Sequence, residues 1–165
     1  EDNDIIVVNK VPGIVVHPTK SHPHGTLANG IMYYFKSNND KSIVRLVSRL
    51  DRDTSGLIIV AKNQFSHMRL ADEMSGPNFK KEYLALVHGV MKEDEGTIDL
   101  PIYRPSDESL KRIVDEKGQR SITHFKIVER FKDATLVRLL LETGRTHQIR
   151  VHLTHLGYTL FGDTL

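Results

Sequence analysis

The sequence predicts an α+β domain, because segments with helical spacing lie near both ends of a chain whose middle is rich in strand-like runs. Its 39% hydrophobic and 27% charged residues are ordinary for a globular protein that buries a core. No internal repeat, low-complexity tract or linker divides the 165 residues. We therefore expect one folded domain over residues 1–165.

Short β-branched runs open the chain. Ile5 to Val8 and Ile14 to Val16 each predict a strand, and Pro12-Gly13 between them predicts a tight turn. Thr26 is a typical N-cap for a helix that ends before the polar stretch Ser37 to Lys41. The apolar residues at helical spacing after this cap are Leu27, Ile31, Tyr34 and Phe35.

A compact apolar run, Leu57 to Val60, predicts a buried strand. A helix should follow it and stop at Gly76-Pro77. The residues expected on the apolar face of this helix are Phe65, Met68, Ala71 and Met74. Asp51 therefore lies on the loop that enters a central strand.

The second half is dominated by strand-like runs, followed by one helix. The runs are Tyr83 to Val87, Thr97 to Leu100, Ser121 to Val128 and Thr135 to Leu141. Between them, the charged stretch Pro105 to Gly118 is expected to be a mobile loop. Thr146 should open the final helix, which Gly157 should close, with Ile149, Leu153 and Leu156 on its apolar face.

Composition excludes several kinds of chemistry. The absence of cysteine excludes disulfides, cysteine-type zinc sites and thiol nucleophiles, including uracil methylation through a cysteine adduct. A net charge of +2 with nine histidines leaves room for a locally positive face that binds nucleic acid. No apolar run reaches the roughly 20 residues that a membrane span needs, and the acidic start is wrong for a signal peptide. We expect a cytoplasmic protein with no membrane partner.

The densest polar cluster is Ser48 to Gly56, which lies between two apolar segments. Charges of alternating sign beside a core strand indicate a functional site, although a solvated, salt-bridged turn has the same composition. Asp53 is two positions from Asp51 and should point elsewhere on an extended segment, so we expect it to be a structural turn or cap acceptor.

A second cluster, Thr143 to Arg150, lies at the predicted start of the last helix, with His147 and Arg150 on one helix face. Free backbone N–H groups and two arginines there favour an anion such as a phosphate. An ordinary capped helix with exposed arginines is the alternative. Lys80 to Tyr83 is a weaker signal, because an aromatic residue at the start of a strand is usually part of the core.

These segments together resemble the RluA-type pseudouridine synthases in motif and in order. The resemblance is carried by Arg49-Leu50-Asp51-Arg52-Asp53-Thr54-Ser55-Gly56-Leu57 with Ala61-Lys62-Asn63, by Lys81-Glu82-Tyr83, and by Gly144-Arg145-Thr146-His147-Gln148-Ile149-Arg150-Val151-His152. It extends to the opening Val7-Val8-Asn9-Lys10 with Val16-His17-Pro18, and to the closing Gly157 with Gly162-Asp163. The similarity therefore spans nearly the whole chain.

The resemblance implies the pseudouridine synthase fold, a mixed, mainly antiparallel sheet flanked by helices, in one catalytic domain over residues 1–165. It implies that Asp51 is the catalytic residue and that Tyr83 and Arg150 belong to the same site. Arg49 is implied to take the place of the flipped nucleotide. The remaining residues expected to bind RNA are Arg52, Lys81, Arg145 and His147.

The implied reaction breaks the bond from uracil N1 to C1′ and joins C5 to C1′, so it needs no cofactor and no metal. An ionised aspartate could attack C1′, attack C6 of the base or remove a sugar proton, and the sequence does not choose among these routes. Arg150 is expected to keep Asp51 ionised and oriented. Tyr83 could stack on the uracil or transfer the C5 proton, and stacking is favoured.

Three positions depart from the family pattern. Ser48 stands where the family usually has histidine, so any RNA contact made by that imidazole is not expected here. The opening reads Lys10-Val11-Pro12-Gly13 in place of the commoner Lys-Pro-x-Gly, a shift of one turn residue. The sequence ends at Thr164-Leu165, where family members continue, so we expect a piece of a longer catalytic domain with no separate N-terminal RNA-binding domain.

Structured RNA is the expected partner, with large-subunit (23S) ribosomal RNA favoured, transfer RNA as the alternative and no protein partner inferred. Two other functions stay open. One is a metal hydrolase built on His17, His22 and His24 or on His147, His152 and His155, although neither set has a known ligand spacing. The other is an RNA-binding module without turnover.

Overall fold

The computed structural model describes residues 1–106, 109 and 111–163, which form two compact units, Glu1–Phe79 and Lys80–Leu165. The first unit contains β1 (Ile5–Lys10), α1 (Leu27–Ser37), β2 (Arg45–Leu46), β3 (Gly56–Ala61) and α2 (Gln64–Ser75). The second contains β4 (Lys81–His88), β5 (Glu95–Asp99), β6 (Ile102–Tyr103), β7 (Ile113–Val114), β8 (Ile122–Arg130), β9 (Ala134–Leu141) and α3 (Gln148–His155). Antiparallel strands with few helices confirm the predicted α+β class.

In the first unit, β3 is the central strand of a three-stranded antiparallel sheet with the order β1-β3-β2. Its period-two pattern buries one row of side chains against α1. The buried cluster consists of Val16, Ile31, Phe35, Ile58 and Val60. Because β3 lies between its two partners, the loop that enters it leads to the middle of the sheet, as the sequence predicts.

Helix α1 begins where the sequence predicts. The Thr26 hydroxyl accepts from the Asn29 N–H, and the Asn29 side chain accepts from the Thr26 N–H, which together make a capping box. The strand predicted for Ile14 to Val16 is wrong. The carbonyl groups of Val15 and Val16 instead accept from the first N–H groups of α1, so this segment supports a helix end and joins no sheet.

Helix α2 stops at Gly76, as predicted, but its predicted apolar face is only half right. Phe65 is 68% exposed and Met68 is 54% exposed, while Ser66 is buried. The Ser66 hydroxyl lies 2.9 Å from both Asp4 Oδ1 and Asn63 Oδ1 and has one proton to share between them, and these contacts accompany the inward orientation of Ser66. A polar anchor therefore overrides the apolar spacing.

In the second unit, a four-stranded antiparallel sheet has the order β4-β9-β8-β5. Its buried face packs with α3 around Val87, Met91, Ile98, Phe125, Val137, Leu139 and Leu153. The four predicted strand runs all lie in this sheet. No helix within the described residues is long and apolar enough to cross a membrane.

The expected loop from Pro105 to Gly118 contains β7, which pairs with β6 as a short hairpin, so that prediction is partly wrong. Within this stretch, Asp107, Glu108 and Leu110 lie outside the described residues.

Helix α3 begins at Gln148, two residues after the predicted start. Its buried residues are Gln148, His152 and Leu153, whereas Leu156 is 40% exposed. Gly157, with φ of 87°, ends the helix as predicted.

Candidate active site

Asp51 lies on the loop between β2 and β3, at the start of a turn that the Thr54 N–H closes by donating to the Asp51 carbonyl at 3.2 Å. Asp51 is only partly buried. Arg49 is exposed two residues earlier. Arg52 donates to the Asp53 carboxylate at 3.0 Å, which fits the expected structural role of Asp53 in this turn.

The buried side chain of Lys10 anchors this turn through a hydrogen bond to it. Its side chain is 1% exposed, and its ammonium donates to the carbonyl groups of Val11, Ile14 and Arg52 at 2.9, 3.0 and 2.7 Å. These three bonds use all the donors of an ammonium group. Burial lowers the pKa of Lys10, and the nearby carboxylates of Asp53 and Asp51 oppose that shift. Lys10 thus ties the end of β1 to the loop that carries Asp51.

Gly13 makes the second tie to the same loop. Its N–H donates to the Arg52 carbonyl at 2.9 Å, beside the bond from Lys10. The Pro12-Gly13 turn requires the φ of 86° that Gly13 adopts, which a residue with a side chain takes only at a cost. The turn predicted from Pro12-Gly13 is therefore confirmed, and it helps to hold the Asp51 loop.

Sequence reasoning assigned Lys10 no role, although a lysine that ends an apolar strand was a usable signal. We expect Lys10→Ala to lower the free energy of unfolding by about 3 kcal/mol, because it leaves a buried cavity and unsatisfied carbonyl groups. Urea unfolding measures this difference. Lys20→Ala, at an exposed lysine of the same unit, is the control. Equal unfolding midpoints for the two variants would contradict the anchoring role.

In the second unit, Lys81 and Tyr83 project from the same face of β4, because side chains alternate along a strand. Tyr83 is paired with Leu139 of β9, packs against the core and is partly buried. The Lys81 ammonium lies close to Gly144: a β-carbon added to that glycine would be 3.8 Å from it. Lys81 therefore reaches the segment that leads into Arg145. Two of the predicted RNA-binding motifs therefore meet within this unit.

His147 does not share a helix face with Arg150, contrary to expectation. It is the N-cap residue of α3 and has a left-handed φ of 59°, an unusual conformation for a residue with a side chain. No side-chain cap bond forms at this position. The neighbouring Arg145 is exposed, and its Nε donates to the Arg120 carbonyl at 3.4 Å. Arg145 and His147 thus belong to a tight turn that precedes the helix.

Arg150 pairs with Asp163 through both Nε and Nη2, and the Nε bond measures 2.7 Å. The two side chains are 20% and 13% exposed, so the pair is largely shielded from solvent. Bidentate geometry fixes the orientation of the guanidinium. Asp163 belongs to the closing motif, but the sequence does not predict this pairing. Arg150 and Asp51 belong to different units, and the expectation that Arg150 keeps Asp51 ionised and oriented stays a prediction.

The histidines of the metal-hydrolase alternative do not form a ligand cluster. Across residues 1–106, 109 and 111–163, no group of three or more histidine, aspartate or glutamate side chains is arranged to hold a metal ion. Both ring nitrogens of His152 are engaged by Thr123 and by the Leu100 carbonyl. The donor geometry therefore gives no support to that alternative.

The chain is similar in sequence to known RNA pseudouridine synthases. The model of the RNA pseudouridylate synthase family matches residues 4–155. An uncharacterized RNA pseudouridine synthase, YjbO of Bacillus subtilis, is 46% identical over 165 residues, which are 100% of this chain and 58% of that protein. A ribosomal large subunit pseudouridine synthase D of Buchnera aphidicola is 44% identical over 163 residues, 99% of this chain and 52% of that protein.

Solved structures agree on the fold. Human RNA pseudouridylate synthase domain containing 1 superposes with a TM-score of 0.78 at 29% identity, covering 99% of this chain and 66% of the human chain. The chain spans only 50 to 58% of the length of the curated relatives it matches. A family match over most of the chain, with relatives above 40% identity that match at least 99% of it, establishes that this chain belongs to the RNA pseudouridylate synthase family.

Proposed function

We propose that this chain carries the catalytic residues of an enzyme that isomerises uridine to pseudouridine in RNA. The observation that carries the proposal is the Asp51 loop. It carries a partly exposed aspartate at the entrance to the central strand of its sheet, on a turn that Lys10 and Gly13 hold through hydrogen bonds to the Arg52 carbonyl. A fixed and accessible carboxylate is what a cofactor-free nucleophile or base requires.

The chemistry balances without an external reactant. The bond from N1 to C1′ breaks, the bond from C5 to C1′ forms, the proton on C5 leaves, and N1 gains a proton. Asp51 could attack C1′ or C6 or remove a sugar proton, and each route uses an ionised carboxylate. Arg150 is proposed to orient Asp51, and Tyr83 to stack on the flipped base.

Large-subunit ribosomal RNA is the proposed substrate. Relatives named ribosomal large subunit pseudouridine synthase D are 41 to 44% identical over at least 99% of this chain. Transfer RNA is the alternative. The cytoplasmic location expected from the sequence stays part of this proposal. The exposed cations of the candidate site, Arg49, Arg52 and Arg145, would contact the RNA backbone without reading its sequence.

Tritium release from RNA labelled at C5 of uridine tests the proposal. Purified chain is incubated with unmodified large-subunit ribosomal RNA transcripts and, separately, with transfer RNA transcripts. Release that accompanies pseudouridine formation supports the function, and a preference for one transcript identifies the RNA class. RNA binding by folded protein with no release from either transcript would favour a binding module without turnover.

We expect Arg49→Ala to impair release from duplexed target sites at least tenfold more than from sites that are already unpaired. An exposed arginine that fills the place of a flipped nucleotide matters most where stacking and pairing must be broken. Single-turnover release from matched duplex and open substrates measures the ratio. Arg69→Ala, at an exposed arginine on α2 of the same unit, should leave the ratio unchanged. Equal losses on both substrates would argue against base flipping by Arg49.

A further inference from the structure

Gln148 is a buried amide that links a turn of the candidate site to the sheet. It is 3% exposed, and its Oε1 accepts from the Arg145 N–H at 3.0 Å and from the Thr143 hydroxyl at 2.8 Å. Its Nε2 donates to the Ile122 carbonyl at 2.9 Å and to the Thr123 hydroxyl at 3.0 Å. All four hydrogen-bonding positions of the amide are therefore used.

Backbone groups at both ends fix the orientation of this amide. The Arg145 N–H can only donate, so it must meet the amide oxygen, and the Ile122 carbonyl can only accept, so it must meet the amide nitrogen. A flipped amide would set its NH₂ group against the Arg145 N–H and its oxygen against the Ile122 carbonyl, and neither pair can form a hydrogen bond. The side chain of Gln148 thus has one acceptable placement.

The hydrogen-bond network continues from Gln148 through Thr123 to His152, and the donor and acceptor of each bond can be assigned. The Leu100 carbonyl can only accept, so Nε2 of His152 carries the proton, and Nδ1 of the neutral ring accepts from the Thr123 hydroxyl at 2.9 Å. The Thr123 hydroxyl accepts in turn from Gln148. Among the described residues, no buried side-chain nitrogen or oxygen lacks a hydrogen-bond partner.

The neutral form of His152 fits its surroundings. Burial lowers the pKa of His152, and nearby His155 lowers it further, while the bond to the Leu100 carbonyl and the Asp99 carboxylate oppose the shift. Donors and acceptors therefore alternate without conflict from Leu100 to Thr143 when the ring is neutral. Such a fully satisfied network specifies one arrangement of the groups that it joins.

The turn before α3 depends on Gln148 twice. The backbone N–H of Gln148 donates to the Arg145 carbonyl at 3.1 Å, while its side chain accepts from the Arg145 N–H. Gln148 thus bonds to both the carbonyl and the N–H of Arg145 and closes the turn from Arg145 to His147. His147 has a left-handed backbone conformation, which is strained for a residue with a side chain. Such a conformation persists only where the surrounding structure holds it in place.

We propose that Gln148 is a positioning residue that fixes the turn from Arg145 to His147 in the conformation that binds the RNA backbone. This inference rests on the proposed function, because it takes Arg145 and His147 as RNA contacts. Gln148 itself is buried and contacts no substrate. It acts through the Arg145 amide, so its loss should loosen the turn and leave the fold of the unit in place.

The test compares Gln148→Met with Thr123→Val. Methionine keeps the length of the side chain but removes all four hydrogen bonds. Thr123 is 0% exposed, and valine there removes the bonds that its hydroxyl makes with Gln148 and with His152. Both bonds between Gln148 and Arg145 are left in place. Thr123→Val therefore serves as a control that disturbs the same buried network away from the turn.

Two readouts are measured, amide hydrogen exchange of Arg145 by NMR and RNA affinity as a function of salt. For Gln148→Met we expect loss of Arg145 protection, at least tenfold weaker RNA binding, and a salt dependence reduced by about one phosphate contact. For Thr123→Val we expect a lower melting temperature with Arg145 protection retained and RNA affinity within about threefold of the wild type.

Retained protection of Arg145 in Gln148→Met, or equal RNA affinities for the two variants, would overturn the proposal. A wild-type chain that binds neither ribosomal nor transfer RNA would contradict the proposed function instead. In that case the exchange of the Arg145 amide would still decide whether Gln148 fixes the turn.

Discussion

Asp51→Asn is expected to reduce tritium release to background while the protein stays folded and binds RNA within a few fold of the wild type. The substitution keeps the size of the side chain and removes its charge, so it eliminates the nucleophile or base without opening a cavity. The loop should survive, because its anchors are the Lys10 ammonium and the Gly13 N–H, both of which bond to the Arg52 carbonyl. Release assays, thermal melting and filter binding measure the three quantities.

Asp53→Asn is the matched control for this prediction. It makes the same chemical change two residues away, on an exposed side chain that pairs with Arg52. We expect its activity to stay within about threefold of the wild type, because an exposed ion pair contributes little to stability. Comparable losses in both variants would indicate that loop charge, and not one catalytic carboxylate, supports the reaction. Unchanged turnover in Asp51→Asn would remove Asp51 from the mechanism.

Tyr83→Ala is expected to lower activity about 100-fold, whereas Tyr83→Phe should lose less than tenfold. Stacking of a base on an aromatic ring contributes about 1 to 3 kcal/mol, and phenylalanine keeps that surface. Tyr83 lies near the start of β4, in register with Leu139, and is only partly buried. Single-turnover release with saturating enzyme separates this effect from RNA affinity.

Loss of core packing must be separated from loss of stacking, because Tyr83 also packs against the buried cluster of its unit. Tyr158→Ala removes a second tyrosine that packs on the same cluster and that no motif assigns to the site. A similar fall in melting temperature with near-normal activity in Tyr158→Ala would isolate the stacking contribution. Equal losses for phenylalanine and alanine at position 83 would instead assign the hydroxyl to proton transfer.

Local sequence was sufficient for the parts of the fold that short-range interactions determine. Thr26 with Asn29 caps α1, Gly76 ends α2, and Gly157 ends α3, each where the sequence predicts. These features depend on neighbouring backbone donors and acceptors or on a left-handed residue, so a few adjacent residues decide them. The order of the motifs likewise sufficed to predict the family, which the comparisons confirm.

Long-range bonds explain two of the predictions that were wrong. Ile14 to Val16 reads as a strand, but its carbonyl groups meet the start of α1. The start of α2 follows the bond from Ser66 to Asp4, 62 residues away, and not the spacing of its apolar side chains. Partners distant in the chain leave no trace in local periodicity.

The sequence by itself determined the family, the α+β class and the position of Asp51 on a loop that enters a central strand. Only the tertiary structure showed that a buried Lys10 holds that loop, that Gln148 ties the turn before α3 to strand β8, and that Arg150 pairs with Asp163. The physical reason is the same in each case. A buried polar group is stable only when distant partners satisfy it, and those partners meet only when the chain has folded.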